Sequence, residues 1–425
     1  MLDRKVSPSI KDAIEFNILL KPCEKFELNN GAPVYYLNDG AEEVALLEFV
    51  FYAGNSFENK NLVAPATSHL IKNGTSKKNA LEINEQFDYY GAYLSSSCQN
   101  ETATITLHCL SRQIKELLPL VREIITDSVF PQHELEIFQQ NSIQKLSVNL
   151  KKCDFVASRL IDKYLYGEEH PYGKISSVPD INAIERKDLL DFFNKFYLNA
   201  KCAIFAAGRL PPDFTQQLNL HFGDLSLNQN LSLISHKREM AHNKKVRIDN
   251  EPDGVQGAIR IARPFPDRNH PDFNKAKILN VLFGGFFGSR LMANIREEKG
   301  YTYGIHSYLE NHIQHSAWVI STEAGKDVCE ATIAEVYKEM NILRDNAIDE
   351  EELLLVKNYM MGINLGNVDG PFKVIARWKD LIIRGLDETN YYDYINSIKS
   401  ISAKEMKDLS NKYLLRGEFF ELVVI

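Results

Sequence analysis

The feature that most constrains the fold of this chain is a segment that occurs once in each half. Residues 184–196 match residues 401–413 at the leading Ile, at a Lys, at an Asn-Lys pair and at the final aromatic. In both copies apolar residues recur at steps of three and four, which predicts an amphipathic helix. A strand-like run follows each copy, at 202–207 and at 419–425. A repeated helix and strand predict a duplicated domain.

A polar stretch between the two copies predicts the domain boundaries. Residues 225–250 contain an Asn-Gln-Asn run and two short basic runs, a composition typical of linkers. We therefore predict a first domain at 1–230, a linker at 231–250 and a second domain at 251–425. A binding role for the basic runs is the alternative, but a short charged run usually forms a solvated surface.

The order of the elements predicts the fold class. Strand-like runs lie at 34–37, 44–52 and 257–262, and helical periodicity covers 80–89, 115–128, 132–150, 155–166, 274–282, 289–298, 327–344 and 350–365. Strands precede helices in both halves without strict alternation. This order favours an α+β fold with largely antiparallel sheets covered by helices.

Composition excludes several classes of function. The net charge of −8 gives no reason to expect a nucleic-acid partner, and no apolar run is long enough to span a membrane. The first residues lack the apolar run of a signal peptide, so we expect a cytoplasmic protein. The six cysteines include no Cys-x-x-Cys pair, so they predict neither a disulfide framework nor a thiolate zinc site.

A distinctive motif lies at residues 291–303, Leu-Met-Ala-Asn-Ile-Arg-Glu-Glu-Lys-Gly-Tyr-Thr-Tyr. Together with Gly-Ser-Arg-Leu at 288–291 and His-Pro-Tyr-Gly at 170–173, it resembles the pitrilysin/insulinase-type metallopeptidases. These are the inverzincins, which include the mitochondrial processing peptidases. The resemblance covers about residues 25–425. It implies two homologous domains, each a mainly antiparallel sheet with helices packed on one face, enclosing a cavity.

The resemblance implies a substrate-binding role for Arg296 and Tyr303. In the family, an Arg and a Tyr at this spacing hold the substrate peptide. A guanidinium and a phenol can donate hydrogen bonds to peptide carbonyls without reading side chains. The alternative is an ordinary solvated Arg at a helix end and a half-buried Tyr.

The family's zinc motif, His-x-x-Glu-His on one helix, is degenerate in this sequence. The matching segment has Pro65 for the first His and Ser68 for the general-base Glu, and only His69 remains. The family's third ligand, a Glu, corresponds to the window 142–150, and no Glu occurs between Glu136 and Glu168. We therefore expect no catalytic residue, no metal and no cofactor in this chain, and a packed or hydrogen-bonded His69. An active peptidase with rebuilt ligands is the disfavoured alternative.

Three further segments have competing interpretations. Residues 91–97 resemble the family's exposed sheet edge, where an extended peptide adds as a strand, but a solvent-facing edge strand would look the same. The Gly-rich run at 284–288 predicts a turn between helices, because no Gly-Lys-Ser/Thr follows it. His306, His312 and His315 could suggest a metal site, but the aromatic pattern around them predicts strand and loop.

Two functions are compatible with this sequence. The first is a non-catalytic, peptide-binding subunit, active as an endopeptidase only with a homologous zinc-bearing chain, or a dimer of this chain with itself. The second is a scaffold or binding protein without a proteolytic role, like the core subunits of respiratory complexes. Retention of Arg296 and Tyr303 favours the first, since a scaffold has no need of them. Substrate peptide, but neither nucleic acid nor membrane, is the further expected partner.

Overall fold

The first half of the chain forms a six-stranded sheet with eight helices. The computed structural model describes residues 11–199, 201–230 and 232–425. The strands are β1 (Glu24–Glu27), β2 (Pro33–Asn38), β3 (Val44–Phe51), β4 (Tyr93–Cys98), β5 (Ala103–Leu110) and β6 (Cys202–Gly208), and the helices are α1 (Val63–Leu70), α2 (Ala80–Tyr89), α3 (Ile114–Asp127), α4 (Gln132–Asn149), α5 (Cys153–Tyr166), α6 (Val178–Ala183), α7 (Arg186–Phe193) and α8 (Phe214–Phe222). The strand order is β1-β2-β6-β3-β5-β4.

The second half forms a five-stranded sheet with six helices. Its strands are β7 (Lys245–Ile248), β8 (Gln256–Phe265), β9 (Ile305–Asn311), β10 (Ser316–Gly325) and β11 (Phe420–Val424), and its helices are α9 (Phe273–Asn280), α10 (Cys329–Asp345), α11 (Glu350–Gly366), α12 (Pro371–Ile383), α13 (Glu388–Ser400) and α14 (Ala403–Tyr413). The strand order is β7-β11-β8-β10-β9. Turns of π-helix type, Asn194–Leu198, Val281–Gly285 and Met292–Glu298, extend the helical segments.

The two sheets share one topology, which confirms the predicted duplication. In the first sheet β6 pairs in parallel with β2 and antiparallel with β3. In the second sheet β11 pairs in parallel with β7 and antiparallel with β8. The repeated helices α7 and α14 precede β6 and β11, and the remaining strand pairs are antiparallel. The α+β class with two homologous halves is therefore correct.

The halves exchange one helix each, which the sequence analysis does not anticipate. On the second sheet, Ile259, Ile261 and Ile320 pack against helices of their own half, as predicted. Side chains at alternate positions point to the opposite face of a strand, and there Ala258 and Val319 pack against α5 of the first half. In return, α12 of the second half packs against β2 and β6. Each sheet is thus covered on its second face by a helix of the other half.

An ion pair explains an exception in the apolar strand β3. This strand is central in its sheet and buried on both faces, which accounts for its nearly continuous apolar sequence. Glu48 interrupts the run and is itself buried. Its carboxylate lies 2.5 Å from the ammonium of Lys379 on α12. The pair therefore ties the first sheet to the exchanged helix.

The stretch predicted as a linker runs between the halves and ends in a strand. His236 contacts the carbonyl of Ser56 at 3.0 Å, and Arg238 donates to the carbonyl of Leu165 at 2.8 Å. Its last residues form β7, which belongs to the second sheet. The boundaries 1–230, 231–250 and 251–425 stay predictions.

A cavity of about 290 Å³ lies between the halves, lined by residues 99–102 of the first and by Asn311, His312 and part of α12 from the second. In the ranges covered by the structure, no helix is both long and apolar enough to cross a membrane.

Candidate functional site

The helix that corresponds to the family's zinc helix forms despite its proline. Helix α1 begins at Val63, so Pro65 lies in the first turn, where backbone N–H groups have no acceptor within the helix. The carboxylate of Glu58 accepts hydrogen bonds from the N–H groups of Leu62 and Ala64 at 3.1 and 2.9 Å. Burial raises the pKa of Glu58 to about 7 despite these bonds. Pro65 is thus accommodated without breaking the helix.

The other two motif positions of α1 differ in exposure. Ser68 is buried, with 2% of its surface exposed. His69 is exposed, and its ring lies 5.2 Å from the ring of Phe138 on α4. Partial desolvation by this packing lowers the pKa of His69, and the nearby ammonium groups of Lys72 and Lys145 lower it further. His69 is therefore placed as a packed surface histidine.

A cavity of about 270 Å³ lies where α1 faces α4, and its lining does not fit a catalytic zinc ion. His69 lines it together with Ser142 and Lys145, which fall in the window expected for the third ligand. Glu134 supplies the cavity's carboxylate, and it accepts a hydrogen bond from Asn73 at 2.8 Å. One imidazole and one carboxylate are fewer than the three protein ligands of a catalytic zinc site. Within 11–199, 201–230 and 232–425, no group of three His, Cys, Asp or Glu side chains is placed to hold a metal.

The predicted sheet edge lies beside this helix. Strand β4, which contains most of residues 91–97, is the outermost strand of the first sheet and pairs only with β5 there. The ammonium of Lys72, which follows α1, donates to the carbonyl of Leu94 in β4 at 3.2 Å. An outermost strand keeps one row of backbone groups available for a further strand. Peptide addition at this edge stays a prediction.

Arg296 lies in the π-type turn Met292–Glu298 of the second half. Its guanidinium lies 4.6 Å from the ring centre of Phe287, a cation–π contact. Its Nη1 atom is buried and has no hydrogen-bond partner in the described part of the chain, although the carboxylate of Glu297 lies 3.5 Å away. The helical segment ends at Gly300, whose φ of 66° is in the left-handed region that favours glycine.

Tyr303 projects from a fixed loop. Its side chain is 90% exposed. The hydroxyl of the neighbouring Thr302 donates to the carbonyl of Glu323 at 2.6 Å and accepts from the N–H of Gly304 at 3.0 Å. These bonds hold the backbone on both sides of Tyr303. The phenol is therefore presented to solvent from an ordered backbone, which suits it for contact with another molecule.

Family models match both halves of the chain. Residues 34–168 match "Insulinase (Peptidase family M16)", and residues 183–360 match "Peptidase M16 inactive domain". The chain belongs to the M16 peptidase family. The first match spans the degenerate α1 motif, and the second spans Arg296 and Tyr303.

Curated relatives match most of the chain, and a solved M16 structure shares its fold. The chain is 19% identical over 393 residues to "Uncharacterized zinc protease YmxG" of Bacillus subtilis, covering 92% of this chain and 95% of that protein. It is 22% identical over 392 residues to "Non-peptidase homolog YmxG" of Helicobacter pylori, covering 90% and 89%. The solved M16 inactive domain from Pseudomonas fluorescens superposes with a TM-score of 0.86 at 22% identity, covering 95% of this chain and 98% of that one.

The two predicted parts of the M16 site lie in different halves of the chain. Pro65, Ser68 and His69 are on α1 of the first half, whereas Arg296 and Tyr303 precede β9 of the second. Among the residues placed by the structure, no hydrogen bond or ion pair joins one set to the other. The substrate-binding role of Arg296 and Tyr303 stays a prediction.

A histidine cluster between the halves is not predicted by the sequence analysis. The ring of His170 lies 5.3 Å from that of His315 and 5.7 Å from that of His236, and it stacks on Tyr166 at 5.6 Å. His315 is in the β9–β10 turn, in agreement with the predicted strand and loop. The M16-like His-Pro-Tyr-Gly motif at 170–173 is the local signal that could have pointed to this cluster.

Proposed function

We propose that this chain is a non-catalytic, peptide-binding subunit that acts with a homologous zinc-bearing M16 chain in peptide hydrolysis. The observation that carries the proposal is an asymmetry between the halves. The first half has lost the first His and the general-base Glu at Pro65 and Ser68, while the second half keeps Arg296 and Tyr303. A division of labour between two chains accounts for that pattern.

The geometry around Tyr303 supports a peptide contact. A phenol that is 90% exposed on a backbone fixed by Thr302 can donate to a peptide carbonyl without prior rearrangement. The Arg296 side chain is 34% exposed and is held beside the ring of Phe287 and the carboxylate of Glu297, and a guanidinium can donate to a peptide carbonyl. The outermost strand β4 supplies a second surface of the same kind, since it offers backbone groups to an extended chain.

The M16 relatives are compatible with a loss of catalysis. The Helicobacter pylori relative is named a non-peptidase homolog. In this chain the cavity between α1 and α4 contains His69, Glu134 and Lys145 in place of a three-ligand zinc set. In this proposal, the zinc needed for hydrolysis belongs to the partner chain.

Substitution of Arg296 and Tyr303 tests the proposal. The chain is co-expressed with a zinc-bearing M16 homologue from the same cell, and cleavage of an extended fluorogenic peptide is measured. Arg296→Ala should lower kcat/KM about 10- to 150-fold, the equivalent of a charged hydrogen bond of about 1.5–3 kcal/mol. Tyr303→Phe removes one neutral hydroxyl and should lower it about 2- to 10-fold. Arg112→Ala and Tyr89→Phe, exposed residues of the first half, are the matched controls.

Two outcomes would count against the proposal. Parent-like cleavage by both variants would make the pair structural and favour a scaffold. A chain that neither dimerises nor alters the homologue's activity in size-exclusion and cleavage experiments would remove the partnership. Circular dichroism of Arg296→Ala separates lost binding from lost folding, because the Phe287 contact is also removed.

A further inference from the structure

A pocket in the second half is lined by several cationic side chains, and neither α1 nor Tyr303 contributes to it. It lies between α9, α12 and α13, and Arg268, Lys277 and Arg377 line it. Its other lining residues are neutral, so no acidic side chain of the described chain contributes to the wall. Three cations around one pocket repel one another unless anions balance them.

The carboxylate that pairs with Arg268 is already shared with a second cation. Asp380 accepts from Arg268 at 2.7 Å and from Arg384 at 2.8 Å. Lys277 and Arg377 form no ion pair within the described ranges. The ammonium of Lys277 instead lies 3.8 Å from the ring centre of Tyr394, a cation–π contact. Two of the three cations therefore lack a counterion.

Buried donors in the same pocket also lack acceptors. The hydroxyl of Tyr391, a residue only 4% exposed, has no hydrogen-bond partner in the part of the chain that the structure covers. The Nε of Arg377 is buried and unpartnered in the same way. Buried polar groups in folded proteins nearly always have a partner, and both of these side chains line the pocket. Both side chains therefore bring an unused donor to the pocket wall.

The clustered positive charges disfavour the protonated form of Lys277. Burial lowers the pKa of Lys277, and the positive charges of Arg268 and Arg377 lower it further. A second cavity, of about 190 Å³, shares Arg268 and Lys277 as its wall and opens toward Leu309 of β9. The two cavities are therefore separated by these two cationic side chains.

We propose that this pocket is a binding site for a phosphate group, either the free ion or a phosphate monoester. A dianion would neutralise the uncompensated charge of Lys277 and Arg377. The planar guanidinium of Arg377 matches the spacing of phosphate oxygens, and the Tyr391 hydroxyl donates to a third oxygen.

Thermal unfolding of the full chain at fixed pH and ionic strength tests the site. Inorganic phosphate replaces chloride, and binding should raise the Tm of the parent by about 2–4 °C. Arg377→Gln and Lys277→Met should lose most of this increment, and in chloride they should be at least as stable as the parent because repulsion is relieved. Lys404→Gln, an exposed cation on α14, should keep the full increment.

The comparison between variants excludes a general salt effect. Sulfate and phosphate stabilise many proteins through exclusion from the surface, and such an effect would act equally on parent and variants. Equal increments in all four proteins would overturn the proposal. If Arg377→Gln does not fold, calorimetric titration of the parent with inorganic phosphate decides, and absence of saturable binding refutes the site. Glycerol phosphate in a second arm distinguishes a monoester from the free ion.

Discussion

At the scale of single residues, three positions of α1 have separate reasons for being tolerated. Pro65 is in the first helical turn, where the missing N–H is not needed. Ser68 fills a buried position with a small side chain, and His69 packs on Phe138. The helix can therefore lose its chemistry and keep its fold.

Zinc content is the measurement that tests these three positions. The purified chain should hold well under one zinc per chain, and Pro65→His with Ser68→Glu should still give no activity. The reason is that neither change supplies a carboxylate at the α4 window, and Glu at the buried position 68 requires desolvation of a charge. Adding Ser142→Glu, on the cavity wall, should raise zinc retention above that of the double variant. Elemental analysis showing stoichiometric, chelator-resistant zinc in the parent, lost in His69→Ala, would contradict this prediction.

The sequence alone predicts those features of the site that depend on the identity of a single residue. The replacements Pro65 and Ser68 could be predicted to remove ligand and base, and the window at Ser142 does lie beside His69. Glu134 could not be assigned to this cavity, because its position depends on its hydrogen bond to Asn73 and on the packing of α4. The basic pocket has no sequence motif, since its cations come from α9, α12 and the loop before α9.

At the scale of elements, local periodicity predicts the helices whose surroundings are simple. The predicted helix 80–89 coincides with α2, which Asn79 and Glu82 cap. The helix expected at 289–298 contains instead a π-type turn, in which the N–H of Lys299 donates to the carbonyl of Asn294. The side chain of Asn294 is held by Glu339 of α10 at 2.7 Å. Such a tertiary contact is absent from the local pattern.

Helix α12 also depends on contacts that its local sequence does not contain. No periodic run in the sequence analysis predicts it. One of its side chains is Lys379, whose partner Glu48 is 331 positions away. Another, Arg377, lines the basic pocket between α9, α12 and α13. The helix is amphipathic, with Val374, Ile375 and Leu381 buried, but its local pattern does not contain which sheet that apolar side covers.

The histidine cluster makes a prediction about pH. Burial is the main reason why the pKa of His170 is lowered to about 4, and the nearby His315, His236, Arg238 and His312 contribute to the same shift. An unfolded histidine titrates near 6.5, so the unfolded chain binds more protons between these values. Stability should therefore fall as the pH drops from about 6.5 toward 4, by on the order of 2 kcal/mol from this residue.

Urea unfolding at several pH values between 7 and 5 checks this prediction. His170→Asn keeps an acceptor for the N–H of Tyr172, which His170 Nδ1 accepts at 3.1 Å, and it should flatten the pH dependence. His133→Asn, with a ring 67% exposed, is the control and should leave the dependence as in the parent. An equal slope in parent and His170→Asn would assign the acid sensitivity to other groups.

At the scale of the whole molecule, the sequence predicts the duplication but not the helix exchange. The repeat at 184–196 and 401–413 predicts two similar halves, because each copy repeats a local pattern. The exchange of α5 and α12 is a choice between two sheets with similar apolar faces. Nothing local in α5 distinguishes the sheet of its own half from the other.

The exchange leads to a prediction about folding. Without α5, the second sheet would expose Val319, Phe420 and Leu422 to water, and burying one such side chain contributes about 1.5–3 kcal/mol. Without α12, the first sheet would expose Phe205, and Glu48 would lose its ion pair with Lys379. Fragments 11–230 and 232–425 should therefore aggregate when expressed singly and form a soluble complex when co-expressed.

A chain folded first and then cleaved at a protease site inserted near 229 should remain associated in size exclusion, because the exchanged helices hold the halves together without the peptide bond. Cooperative unfolding of either isolated fragment would mean that its sheet does not need the exchanged helix.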